Sequence, residues 1–208
     1  MPGERNLWME NIFDKPKVIA LIGNTNSGKS NTIYHIIDTM RGKAEFSLYT
    51  FGLKYHLPGA QEIWSLEELE DIENSLIIID EALSLFDLDN RAKKQQIEQT
   101  LRLIHHNNNI LLVCMLPENC KKFLAAKIDV MIFKKCAMSD FINGSYAKRV
   151  AQNYRGPEAG TAVLGIKVDQ ALIFDGKYTK IDIPYIEKFD SKKGNIPIFK
   201  TTSKTKDK

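Results

Sequence analysis

Eight consecutive residues, Gly23-Asn24-Thr25-Asn26-Ser27-Gly28-Lys29-Ser30, match the pattern Gly-x-x-x-x-Gly-Lys-Ser/Thr at every fixed position. Their types point to phosphate chemistry. Glycines let the backbone wrap closely around an anion, and consecutive N–H groups with a helix N-terminus stabilise its charge. Lys29 is placed to reach the β- and γ-phosphates of a nucleotide, and the Ser30 hydroxyl to ligate Mg²⁺. The backbone from Gly23 through Asn31 is the expected phosphate-lining stretch. Its context fits, because "KVIALIG" (17–23) reads as a buried strand before it and "SNTIYHIIDTM" (30–40) as a helix after it.

A second constellation lies about fifty residues on, in "LIIIDEAL". A buried strand ending in two acids makes chemical sense if its C-terminal edge faces the crevice that holds the phosphate loop. Asp80 then holds Mg²⁺ through water, and Glu81 polarises the water that attacks the phosphate. One acid would suit a switch GTPase or a small-molecule kinase. The Asp-Glu pair resembles the P-loop branch with a catalytic glutamate, which hydrolyses ATP to do mechanical work.

These residues need a sheet to position them, and the chain has the required alternation. Strands are expected at 17–23, 45–52, 75–82, 109–116 and 130–135, and helices at 30–40, 90–106, after Pro117 and over 139–155. A short helix is expected from Ser65, which with Glu68 forms a capping-box signature. In the helix at 90–106, Ile97, Leu101 and Ile104 share one face. Strands alternating with helices imply a mostly parallel sheet covered on both faces, an α/β fold. The segment "TAVLGIKVDQALIFDGKYTKIDI" departs from that pattern. It reads as two or three antiparallel strands with Asp175-Gly176 as a hairpin turn. The expected organisation is an N-terminal arm (1–15), a phosphate-loop domain (16–190) and a basic, disordered tail (191–208).

At 208 residues the chain is long enough for one sizeable core. Its 29 basic and 26 acidic residues leave a net charge of +3, which neither demands nor excludes nucleic acid. No apolar run reaches the ~20 residues that span a bilayer, and the polar N-terminus lacks signal-peptide features. Cys114, Cys120 and Cys136 have no paired spacing, so a reducing cytoplasm is expected, with the virion as an alternative location. The adjacent His105 and His106 point about 100° apart on a helix and do not readily share a metal.

The segment "QTLRLIHHNNNILLVCMLPEN" resembles the FtsK–HerA ATPases. In that family a helix ends at an Arg-His pair, a polar turn follows, and the next strand leads to a polar sensor and a proline. "KIDVMIFKK" resembles the family's following strand, which often ends in Phe-Lys. The compact length, with a small C-terminal β addition, looks like the genome-packaging ATPases of double-jelly-roll viruses. The resemblance covers residues 16 to 185 and implies a P-loop NTPase of the additional-strand, catalytic-glutamate type. It further implies ATP and Mg²⁺ as ligands, a ring homo-oligomer (hexamer or pentamer), double-stranded DNA as cargo, and capsid-vertex or membrane-associated portal partners.

Two positions depart from the family pattern. His105 stands where the family places the arginine that reaches a neighbouring subunit's site, and Leu116 stands at the sensor position. Arg102, one turn before His105, is the favoured arginine, with Arg149 and Arg155 as other candidates. Asn119 serves as sensor if the strand runs past Leu116. The rival functions are a non-motor ATPase assisting plasmid or phage replication and, further off, a nucleotide kinase.

Overall fold

The structure is a computed structural model. It describes residues 12–41, 46–53, 57, 59–80, 91–120, 122–137, 164–176 and 178–184. The helix expected at 139–155, the tail from 191, Glu81, Arg149 and Arg155 lie outside them.

Eight strands form one sheet: β1 (Lys17–Ile22), β2 (Ser47–Phe51), β3 (Ala60–Glu62), β4 (Ser75–Ile79), β5 (Ile110–Met115), β6 (Val130–Phe133), β7 (Gln170–Phe174) and β8 (Tyr178–Asp182). Their spatial order is β3-β2-β4-β5-β1-β6-β7-β8. The first six run parallel to one another, β7 pairs antiparallel with β6, and β8 pairs antiparallel with β7. The expected fold is therefore the one found: an α/β sheet with a small antiparallel C-terminal addition. β5 lies between β1 and β4 and so is the additional strand separating the phosphate-loop strand from the acidic strand.

β1, β4, β5 and β6 are buried along their whole length. Strands covered on both faces carry continuous apolar runs, which is why "VIALI", "LIII" and "ILLVCM" read so clearly. Helix α1 (Lys29–Arg41) packs Ile33, Ile36 and Ile37 on one face of the sheet, against Ile19, Leu21, Ile78 and Leu112. Helix α2 (Arg91–His106) packs Ile97, Leu101 and Ile104 on the other, against Ala20, Ile22, Ile77 and Val113. Helix α3 (Lys122–Ala125) adds Leu124 to that second face. Ile12, ahead of β1, is buried with the α1-side core, so part of the expected N-terminal arm belongs to the body of the fold.

The polar turn "NNN" after α2 has a structural use. Asn108 adopts a left-handed conformation (φ 56), as helix-terminating asparagines do. The amide of Asn109 is wholly buried: its oxygen accepts the Ser75 N–H at 3.0 Å and its nitrogen donates to Ile72 O. The same residue's carbonyl accepts the Lys17 N–H. One asparagine thus pins the starts of β1 and β4 beside β5, which sets where both strands end at the site.

Four expectations are adjusted. The helix from Ser65 is a single 3₁₀ turn, Glu67–Asp71, with Leu66 at its cap and no side-chain cap bond. Glu68 instead accepts the N–H of Trp64 at 2.9 Å. The short strand β3 has no counterpart in the sequence reading. Past Pro117 the chain forms a 3₁₀ turn (Pro117–Asn119) before the short α3. β5 ends at Met115, one residue earlier than expected, so the strand does not run past Leu116.

Candidate functional site: a phosphate loop between two flanks

The loop leaves the sheet from the middle of its edge. Gly23 N–H donates to Met115 O of β5 at 3.2 Å, and Asn24 N–H donates to Lys135 O beyond β6 at 3.1 Å. Lys134 N–H in turn donates to Ile22 O at 2.7 Å. The root of the loop is therefore held from both sides before it turns. Ser27 N–H closes a turn on Asn24 O at 3.2 Å. Asn26 (φ 61) and Gly28 (φ 90) are left-handed with Ser27 between them. That alternation of hand is how a backbone makes a concave, anion-binding nest.

Sterics explain both glycines. A Cβ on Gly23 would stand 2.6 Å from Ser27 Oγ and 2.7 Å from Lys134 Cβ. A Cβ on Gly28 would stand 2.8 Å from Val168 O, on a backbone that side chains rarely tolerate. Helix α1 starts at Lys29, as the phosphate reading requires. Lys29 Nζ donates to Gly23 O at 2.7 Å and Asn24 O at 3.0 Å, so its ammonium lies across the loop it serves. Thr25, Asn26 and Ser30 are exposed at the loop's outer surface. Ser27 Oγ is buried with no hydrogen-bond partner, an unusual state for a hydroxyl and one that a phosphate oxygen would relieve. Asn31 Nδ2 donates to Pro184 O at 3.1 Å, tying α1 to the end of the β8 segment.

Asp80 follows β4, half-buried, with its N–H donating to Phe51 O at 2.9 Å. Its backbone lies tight against Gly52 (φ 68), where a Cβ would meet Asp80 O at 2.5 Å. Gly52 was not singled out from sequence; a glycine closing an apolar strand was the available signal. Cys114 lies in β5, the strand between those that lead to the two motifs. Burial pushes its thiol well up, the Asp80 carboxylate adds to that, and the Lys29 ammonium opposes it. The parallel register sets Ile79 opposite Val113 and Ile22 opposite Met115, so Asp80 and the phosphate loop leave the same edge of the sheet.

Leu116, directly after Met115, is half-buried and has no polar side-chain atom to offer a phosphate. Asn119 is half-buried in the following 3₁₀ turn, its N–H donating to Leu116 O at 3.0 Å. His105 lies 3.2 Å from Asp129, whose carboxylate accepts the Val18 N–H at 2.7 Å. This contact is at the start of β1, about 13 Å along the strand from the loop. Among the described residues no three His, Cys, Asp or Glu gather as a metal site. Arg102 is exposed on α2, one turn before His105, toward the sheet end opposite the phosphate loop.

The Phe-Lys ending of the strand after α3 holds a further residue of the site, to which the sequence assigned no role. Lys134, directly after β6, is wholly buried and donates to Val168 O at 2.8 Å. Burial lowers its pKa to about 8, partly offset by the nearby Asp169 carboxylate. The signal was present in "VMIFKK", where the lysine follows Phe133 directly in an apolar strand.

No family model matches the chain, and no curated protein matches its sequence. Several solved structures share its fold. The genome packaging NTPase B204 from Sulfolobus turreted icosahedral virus 2, in complex with ATP-gammaS, aligns with a TM-score of 0.62 at 18% identity. The match covers 82% of this chain and 97% of that one. B204 of Sulfolobus turreted icosahedral virus, a DNA-packaging ATPase, gives 0.62 at 16% identity over 82% and 98%. The pCW3 conjugation coupling protein TcpA with ATPgS gives 0.58 at 16% identity, covering 85% of this chain and 62% of its own. At these identities the likeness is one of fold alone.

Proposed function

We propose that this chain is a Mg²⁺-dependent ATPase that assembles as a ring and moves double-stranded DNA, in the setting of a virus driving its genome into a preformed capsid. The observation that carries the reading is the strand order and register, in which β5 separates β1 from β4 and both of those strands end at one edge of the sheet. That arrangement supports a reading in which Lys29 binds phosphate and Asp80 holds a metal on either side of the additional strand. A fold shared with a genome packaging NTPase, a DNA-packaging ATPase and a conjugation coupling protein supports the choice of cargo.

The loop backbone from Gly23 to Asn31 binds the phosphates, with Lys29 as their principal cation. Ser30 and Asp80 would hold Mg²⁺, which neutralises charge on the β- and γ-phosphate oxygens. Glu81, next in the chain, accepts a proton from the attacking water. Arg102 serves the site of a neighbouring subunit, which suits its exposure away from its own phosphate loop. A ring also multiplies weak phosphate contacts, so a net charge of only +3 is no obstacle to holding DNA. The chain works in the host cytoplasm or on the virion and docks on capsid-vertex or portal components. Among the described residues no helix is long and apolar enough to cross a membrane.

The test uses Glu81→Gln, which keeps size and hydrogen bonding but removes the base. Turnover should fall at least about 10²-fold while Mg·ATP stays bound. Sedimentation with Mg·ATP and duplex DNA should then show larger, DNA-associated assemblies than wild type. A DNA-free monomer that hydrolyses ATP at the wild-type rate would end this reading.

A further inference from the structure

The turn before β7 touches the phosphate loop on the side away from Asp80. Val168 O would be 2.8 Å, and Val168 Cγ1 3.2 Å, from a Cβ placed on Gly28. That carbonyl is the acceptor of the buried Lys134 ammonium, whose Cε would be 3.4 Å from the same Cβ. One lysine thus runs along the inner side of the loop, from Gly23 to Gly28, and ends by holding the turn in place. The turn is also fixed from behind. Gln170 N–H donates to Lys167 O at 3.0 Å, Ile183 N–H donates to Asp169 O at 2.6 Å, and Pro184 O meets both Asn31 and His35 of α1.

What this arrangement displays is an apolar side chain. Val168 is 52% exposed and, with Trp64, is one of two exposed large hydrophobic residues among those described. Trp64 lies at the far β3 edge, whereas Val168 stands at the lip of the phosphate loop. The direction of a bound nucleotide gives that position meaning. Its γ-phosphate must face β5 and β4, because Asp80 is there. Its ribose and base must therefore leave the loop on the other flank, over β6 and β7.

We propose that Val168 forms the surface against which the ribose and base of the bound nucleotide lie, and that Lys134 is the positioning residue that holds Val168 there. The inference rests on the phosphate-loop reading and adds to it a subsite for the nucleoside half of the ligand. The retention of a buried ammonium fits this role. An apolar residue would fill the same space without the desolvation cost, but it could not bind the Val168 carbonyl.

Binding of ATP and of inorganic tripolyphosphate, measured side by side by titration calorimetry, tests it. Wild type should prefer ATP. Val168→Ser, an exposed change that spares the fold, should weaken ATP about fivefold, the scale of one lost aliphatic contact, and leave tripolyphosphate unchanged. Lys134→Met should reduce the preference for ATP in the same direction, and in steady state both variants should raise KM for ATP without lowering kcat. If Val168→Ser keeps the wild-type ratio of the two affinities, or wild type binds the two ligands equally, the subsite is not there. Wild type that binds neither would instead overturn the phosphate-loop reading beneath it.

Discussion

On one side of β1 stands β5, apolar to its end, and beyond it β4 with Asp80. On the other stands β6, which ends in a buried lysine, followed by an antiparallel hairpin whose entry turn leans on the loop. Both flanks accept a backbone N–H from the root of the loop, one through Met115 O and one through Lys135 O. They differ in what they bring to it. The β5–β4 flank brings the Asp80 carboxylate, directly after β4. The β6–β7 flank brings a cation with no exposed surface and an apolar side chain at the rim. A nucleotide spans both kinds of need: its reacting end wants a metal-binding acid, and its nucleoside end wants apolar surface. On the proposed reading the two flanks would divide the nucleotide between them, and β1 would carry only the part common to both.

The largest effect should come from removing what the flanks share. Lys29→Ala deletes the principal phosphate cation, so nucleotide binding and hydrolysis should be lost together. Isothermal titration that finds wild-type ATP affinity in this variant would break the division at its centre.

Next in size is the group expected from outside the subunit. Arg102→Ala should leave ATP binding near normal and cut turnover about 10³-fold, the low end for a lost arginine finger. Because the finger acts in trans, mixing Arg102→Ala with Glu81→Gln should restore some activity, since mixed rings contain a few intact interfaces. Absence of recovery in verified assemblies would move the role to Arg149, Arg155 or His105. The third candidate is the weakest on geometry, because His105 already meets Asp129 at the base of the sheet.

The two flanks also differ in how readable they were. The β5–β4 flank was legible because its strands are buried on both faces and so spell uninterrupted apolar runs, and because its acids follow such a run directly. The phosphate loop was legible for a local reason: its chemistry sits in eight consecutive residues. The three-residue β3 (Ala-Gln-Glu) has no β-branched or aromatic residue and is a strand only because β2 lies beside it. The Ser65–Glu68 pair has helix-starting chemistry, yet the carboxylate went to Trp64 and the turn closed as 3₁₀. Lys134 was hidden most completely. Its role depends on a carbonyl 34 residues further on, and no local spacing encodes that meeting.

The smallest predicted effect isolates the β6–β7 flank through pH. Lys134 has a folded pKa of about 8 against an ordinary value of 10.5, because burial disfavours its charge. The unfolded chain therefore holds a proton between those values that the folded chain has released. Stability rises with pH where the unfolded state binds more protons. Below about pH 8 both states are charged and the folded protein carries the full desolvation cost; that cost is relieved as pH climbs from about 8 toward 10.5. Lys134→Met has no such proton, so it serves as the reference in which all other titrations are shared. Between pH 7 and pH 9 wild type should gain about 1 kcal/mol relative to Lys134→Met, or roughly 2–4 °C in Tm for a chain of this size. The Asp169 carboxylate sharpens the test. It favours the charged lysine, so Asp169→Asn should move the rise to lower pH. Melting curves for wild type and Lys134→Met that stay parallel from pH 7 to pH 9 would show that the ammonium is not held as described. The turn carrying Val168 would then need another anchor.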